Sequence, residues 1–167
     1  MMRTRPFLTL MMLSALLPAA GTLGCSEGPS VTRKNVEAGN VADSPKTTRM
    51  KITVGSRVFN ATLYDNRTAA AFKDMLPLTL DMEELNGNEK KFDLSNPLPT
   101  DALNPKTIKS GDLMVWGQNT VVLFYKSFPT SYSYTRLGRI EDPDGLEAAV
   151  GAGSVKVTFE LDGSPKD

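Results

Sequence analysis

Histidine is absent from this chain and cysteine occurs once, at Cys25, and these two facts decide most of the chemistry open to it. A Ser-His-Asp or Cys-His nucleophile system has no imidazole to act as its base. A His/Cys zinc site lacks its ligands, and a lone thiol closes no disulfide within the chain. Asp, Glu, Lys, Tyr, Arg and backbone groups remain. Cys25 is placed for modification: it follows Gly24 directly, after a short basic start (Arg3, Arg5), an apolar run from Phe7 to Ala20 and small residues up to the cysteine. A positive start followed by an apolar stretch this short marks an export signal over residues 1–24, and a thiol at its end is available for acylation.

Three further constellations carry possible chemistry. Six of the twelve aromatic residues lie between positions 116 and 134 (Trp116, Phe124, Tyr125, Phe128, Tyr132 and Tyr134), which concentrates apolar surface with polar handles in one stretch. Strand members such as Trp116 and Phe124 are expected to turn into the core. Phe128, Tyr132 and Tyr134 suit the wall of a groove for a peptide or small molecule. The acidic cluster Glu141, Asp142, Asp144 and Glu147 has oxygen ligands of the type calcium takes, without EF-hand spacing. A helix start favours acidic residues for its dipole, so capping is the expected role and no metal or cofactor is expected. Arg136 and Arg139, three apart on a strand, are expected on opposite faces, and Arg136 is carried as a groove candidate.

The elements that must position these groups follow from periodicity. Met50, Ile52 and Val54 alternate with Lys51 and Thr53, as in a half-buried strand. Gly55-Ser56 makes a hairpin turn into a second strand with Phe59, Ala61 and Leu63. Ala69, Phe72, Met75 and Leu76 then fall at helical spacing, with Thr68 or Asn66 as cap and Pro77 as terminator. Leu78, Leu80 and Met82 return to strand spacing. Asn86-Gly87-Asn88 turns the chain into a strand from Lys90 to Leu94, and residues 95–111 read as a long loop. Asp112 to Trp116 and Thr120 to Lys126 bracket Gly117-Gln118-Asn119 as a central hairpin. Tyr134 to Ile140 is a strand, Pro143 to Val150 a short helix, and Val155 to Leu161 a closing strand. Eight short strands with two helices point to a closed barrel whose ends the helices plug.

Charge narrows the partners. Without Arg3 and Arg5 the 19 basic residues become 17 against 19 acidic, a net of −2, with no basic block. Nucleic acid is therefore not an expected partner, and any membrane contact would come from a lipid on Cys25. Residues 25–48, rich in Ser, Gly, Thr, Asn and Pro, read as a flexible tether. The folded domain is expected over 49–162, with a disordered tail at 163–167.

Two resemblances sharpen this reading. The first 25 residues resemble a bacterial lipoprotein signal, although Leu23 stands two positions before the cysteine where that pattern has leucine three before. An ordinary signal releasing a soluble periplasmic or secreted chain stays open beside a lipid anchor in the bacterial cell envelope. From 49 to 162 the order of elements resembles the small bacterial cyclophilin-like domains. The helix Thr68–Leu76 is similar to the family's first helix, Gly111 to Gly117 to its glycine-led core strand, Val122-Leu123-Phe124-Tyr125 to its aromatic strand, and Leu137-Gly138-Arg139-Ile140 to its apolar-Gly-basic-apolar turn. The resemblance implies an eight-stranded barrel with two short capping helices and a ligand groove. Phe124 stands at the family's groove phenylalanine, Tyr134 where cyclophilins carry a groove histidine, and Phe128 near a groove tryptophan. The family's catalytic arginine would lie on the strand Lys90-Lys91-Phe92-Asp93-Leu94, which has none, and the following loop lacks the glutamine-glycine pattern. Lys91 could supply charge but not the planar guanidinium fork. The expectation is a binding domain with little or no prolyl isomerase activity; a divergent isomerase acting on exported proteins is the alternative.

Overall fold

The computed structural model describes residues 47–163. The signal, Cys25, nearly all of the tether and most of the short tail lie outside the described residues. The first hairpin pairs β1 (Thr48–Val54) with β2 (Arg57–Leu63), and Gly55 at φ 59° makes the turn that joins Val54 to Arg57. Met50, Ile52, Val54, Phe59, Ala61 and Leu63 are all buried, so the alternation seen in the sequence is the division between barrel interior and solvent.

Helix α1 (Arg67–Lys73) is shorter than its apolar spacing suggests. Asn66 is its cap, accepting from the Ala69 N–H at 2.8 Å, while the Thr68 hydroxyl donates instead to the Pro99 carbonyl at 2.6 Å. Past Lys73 the chain tightens through Met75 N–H to Phe72 O and Leu76 N–H to Lys73 O before Pro77. Phe72, fully buried, packs edge-on against Phe159 with centroids 5.5 Å apart.

The chain continues through β3 (Leu78–Leu85), β4 (Glu89–Asp93), β5 (Thr107–Ile108), β6 (Asp112–Trp116), β7 (Thr120–Phe124), β8 (Phe128–Pro129) and β9 (Thr135–Ile140). Helix α2 (Leu146–Val150) and β10 (Val155–Leu161) complete it. Eight strands close a barrel in the order β1-β10-β3-β4-β7-β6-β9-β2, with every pair antiparallel. Full closure leaves no unpaired edge. Helix α1 lies where β2 ends and α2 where β10 begins, at opposite ends of the barrel. Helix α2 starts at Leu146, not Pro143, because Asp142 to Gly145 form a turn in which Asp142 Oδ1 accepts from the Asp144 N–H.

Besides the helix bounds, two features of the sheet depart from the sequence reading. The stretch 95–111 is not wholly a loop: β5 pairs with β8 in a two-residue ribbon outside the barrel. That ribbon explains why every residue of β7 is buried. Val121 and Leu123 face the barrel core, whereas Val122 and Phe124 face outward into a second cluster with Ile108, Met114 and Tyr134. The other departure is a bulge in β9, where Leu113 pairs with Gly138 but Met114 pairs with Arg136. The extra residue resets the alternation. Leu137 and Ile140 both point inward, and Arg136 and Arg139 are both exposed on the outer surface, not on opposite faces.

Candidate functional site

Strand β4 sorts its side chains cleanly. Lys90, Phe92 and Leu94 turn toward the barrel, and Glu89, Lys91 and Asp93 turn outward. The outward set forms one side of a pocket of about 310 Å³ on the barrel wall. Thr120 and Val122 of β7 make its floor, Trp116 at the end of β6 stands at one side, and Tyr132 and Tyr134 arrive from the segment after β8. The β3–β4 turn closes it with Leu85 and Asn86. Asn86 at φ 58° and Gly87 at φ 70° supply the left-handed turn that brings this corner over the pocket.

The charges here are unequally satisfied. Lys91 Nζ lies 3.3 Å from Asp93 and 3.4 Å from Glu83, and the Asp93 hydrogen bond leads in holding the ammonium above its ordinary range. Asp93 also accepts from the Thr120 hydroxyl at 2.6 Å, the main reason its carboxyl is held low. Glu89 is different. Only 6% of it is exposed, and its single hydrogen bond comes from Asn86 Nδ2 at 3.2 Å. Burial pushes its carboxyl up, the Asn86 bond opposes this in part, and the nearby Glu84 charge adds to the rise. Tyr134 is likewise pushed up, first by burial and then by the Glu89 charge.

The residues singled out from sequence fall in three places. Tyr132, exposed, and Tyr134, buried to 7%, both line the pocket. Phe124 is fully buried and Phe128 partly so; their rings pack at a tilt with centroids 5.8 Å apart, and Phe124 meets Tyr134 edge-on at 5.4 Å. Neither phenylalanine lines the pocket: they brace the tyrosine that does. Arg136 lies in a neighbouring, larger depression of about 720 Å³ with Asn66 and Asp101, and Tyr134 forms the partition between the two. Its guanidinium lies 6.0 Å from the Tyr64 ring.

Trp116 was expected in the core and is instead 52% exposed at the pocket wall, because it ends β6 at the Gly117 turn, beyond the covering ribbon. Glu89 was not singled out at all. Its signal was its place two residues before Lys91, on the same face of a strand that extends one residue earlier than the apolar pattern suggests.

A closed eight-stranded barrel, plugged by two short helices and carrying an aromatic-walled pocket on its outer face, defines a cyclophilin-like domain. The model of the cyclophilin-like family matches residues 52–160, and the chain belongs to that family. Among solved structures it is similar to a hypothetical protein of Archaeoglobus fulgidus determined in solution. The two share 21% identity over 72% of this chain and 98% of that one, with a TM-score of 0.49. No curated protein matches the sequence.

Proposed function

We propose that this protein is an exported, membrane-tethered binding domain. It takes a peptide or small ligand in the pocket between β4, β7 and the Tyr132–Tyr134 segment, without efficient prolyl isomerase activity. The observation that carries this reading is the pocket itself: a concave, mainly apolar site with a few convergent polar groups is the usual form of a ligand site. Prolyl isomerisation faces a barrier of roughly 18–20 kcal/mol. Lowering it requires contacts stronger in the twisted amide than in the ground state. Lys91 is the pocket's only cation, and two carboxylates already hold it. A point charge so occupied is a poor substitute for a free guanidinium fork.

Export and tethering rest on the sequence of residues 1–25, with Cys25 as the acylated mature N-terminus. Mass spectrometry of the membrane fraction tests this, and a soluble product retaining an unmodified Cys25 would refute it. A protease-coupled assay on a proline-containing peptide tests the catalytic half. We expect turnover indistinguishable from the uncatalysed rate. Robust turnover lost on Lys91→Ala would instead favour a divergent isomerase.

A further inference from the structure

Glu89 gives the pocket a chemical preference. The side chain is more than nine-tenths buried, its Oε1 accepts from Asn86, and its Oε2 has no hydrogen-bond partner among the described residues. That oxygen opens onto the pocket and has no protein donor, so it is free to accept one from a ligand. The pocket's other charges do not supply one: Lys91 is committed to Asp93 and Glu83. The lining thus holds two carboxylates, Glu89 and Asp93, against one ammonium, an excess of negative charge. The same pocket is lined by Trp116, in the row of Asp93, by Tyr132, both largely exposed, and by Tyr134. Aromatic faces beside a carboxylate recognise an organic cation: the rings attract the charge, their apolar surface takes the stem, and the carboxylate takes the N–H.

We infer that the pocket selects a lysine side chain of a bound peptide, its ammonium donating to Glu89 Oε2 and its stem lying against Trp116 and the two tyrosines. This rests on the proposed groove. Lysine is preferred to arginine because only one carboxylate oxygen is free. A guanidinium fork would find half of its bidentate partner, whereas an ammonium needs a single acceptor. Binding would favour the ionised carboxyl, against the burial that now raises it. The groups facing Glu89 are Glu84 on β3, Lys91 and Asp93 on its own strand, Tyr125 just past β7, pushed up to about 12, and Tyr132 and Tyr134 from the segment after β8; its partner on β7, Phe124, does not ionise. Glu84 and Asp93 are held low, and Lys91 and Tyr134 are pushed up. Of the pocket's carboxyls, Glu89 alone is pushed up, so it takes its proton before Asp93 as pH falls.

Trp116 is the chain's only tryptophan, so its fluorescence reports on this site alone. The test titrates the full chain and its Glu89→Gln variant with blocked Gly-X-Gly peptides, X being lysine, norleucine or arginine. We expect lysine to bind about tenfold to a hundredfold more tightly than norleucine, the worth of a hydrogen bond to a charged group, and more tightly than arginine. Glu89→Gln should erase the lysine advantage and leave norleucine unchanged. Equal binding of lysine and norleucine, or a lysine preference untouched by Glu89→Gln, would overturn the inference while the groove stands. No change in Trp116 fluorescence with any peptide would overturn both. Should Glu89→Gln lose its far-ultraviolet dichroism, the wild-type chain still decides. Lysine affinity must weaken as pH falls through the Glu89 titration while norleucine stays flat, and a flat lysine profile would refute the assignment.

Discussion

Lys90 is a fully buried lysine at one end of the barrel, and its replacement by methionine is a demanding test of how that end is held. All three ammonium protons have acceptors: Glu84 Oε2 at 2.6 Å, the Gly151 carbonyl at 3.0 Å and the Gly153 carbonyl at 2.6 Å. The charge also lies 5.6 Å from the Tyr125 ring centroid, and the Tyr125 hydroxyl donates to the same Glu84 carboxylate. Lysine thereby ties β4 to β3 and to the segment leaving α2. Methionine keeps most of the apolar stem but strands Glu84 and two carbonyls. Removing one partner of a buried ion pair costs roughly 3–5 kcal/mol. The low end applies here, because the Glu84 side chain is 25% exposed and the glycines reach water. We therefore expect a loss of about 3 kcal/mol, or a fall in Tm of about 10–15 °C. Urea unfolding followed by circular dichroism reads it. Glu84 is held low because its bonds to Lys90 and Tyr125 outweigh the burial that would raise it. Its contribution is present above the ordinary 4.5 and fades as pH falls through the lower folded value, so the Lys90→Met penalty should shrink in acid. Adding Glu84→Gln to Lys90→Met should recover at least about 1 kcal/mol. A penalty under about 1 kcal/mol at neutral pH would mean that the ion pair merely offsets its own desolvation.

Other outcomes follow from the packing. Phe159→Ala should cost about 3–5 kcal/mol, since it deletes a fully buried ring packed edge-on against Phe72; a loss below about 1 kcal/mol by urea unfolding would mean that the site collapses freely. At Gly138 an added methyl would lie 2.5 Å from the Thr62 carbonyl oxygen across β2, a backbone atom that cannot step aside. Gly138→Ala should therefore lose about 1–3 kcal/mol, and wild-type stability in that variant would contradict the close strand approach. Burial, and then Glu84, push the Tyr125 hydroxyl up to about 12. The folded state keeps this proton above the ordinary 10, so the associated stability is whole below pH 10 and is lost as pH rises through about 12. The stability difference between wild type and Tyr125→Phe should narrow over that range, and a difference constant with pH would refute the assignment.

Much of the barrel was written in period-2 alternation, because a closed sheet has one interior face and β1, β2 and β10 obey it residue by residue. The run Val121 to Phe124 breaks alternation for a reason visible only in three dimensions: the β5–β8 ribbon covers its outer side. That ribbon has two residues per strand and includes Pro129, too little pattern to register as a strand. The bulge at Leu137 likewise leaves no mark in residue types, yet it turns both arginines outward. In the candidate site, the aromatic cluster after Trp116 was legible as composition, and the resemblance implied Phe124 and Tyr134 as groove residues. The division of labour was not. Phe124 has no surface and supports Tyr134, Trp116 lines the wall, and Glu89 became visible only once strand pairing put it beside Tyr134.

Whether peptides occupy the pocket over β4 and β7 can be read residue by residue from an amide-correlation NMR titration of the labelled chain with short lysine- and proline-containing peptides. Saturable shifts should concentrate at Leu85, Glu89, Lys91, Tyr132 and the Trp116 indole, with the α2 end of the barrel unmoved. Shifts centred on the α2 end near Glu147, or a spectrum unchanged throughout the titration, would contradict the account.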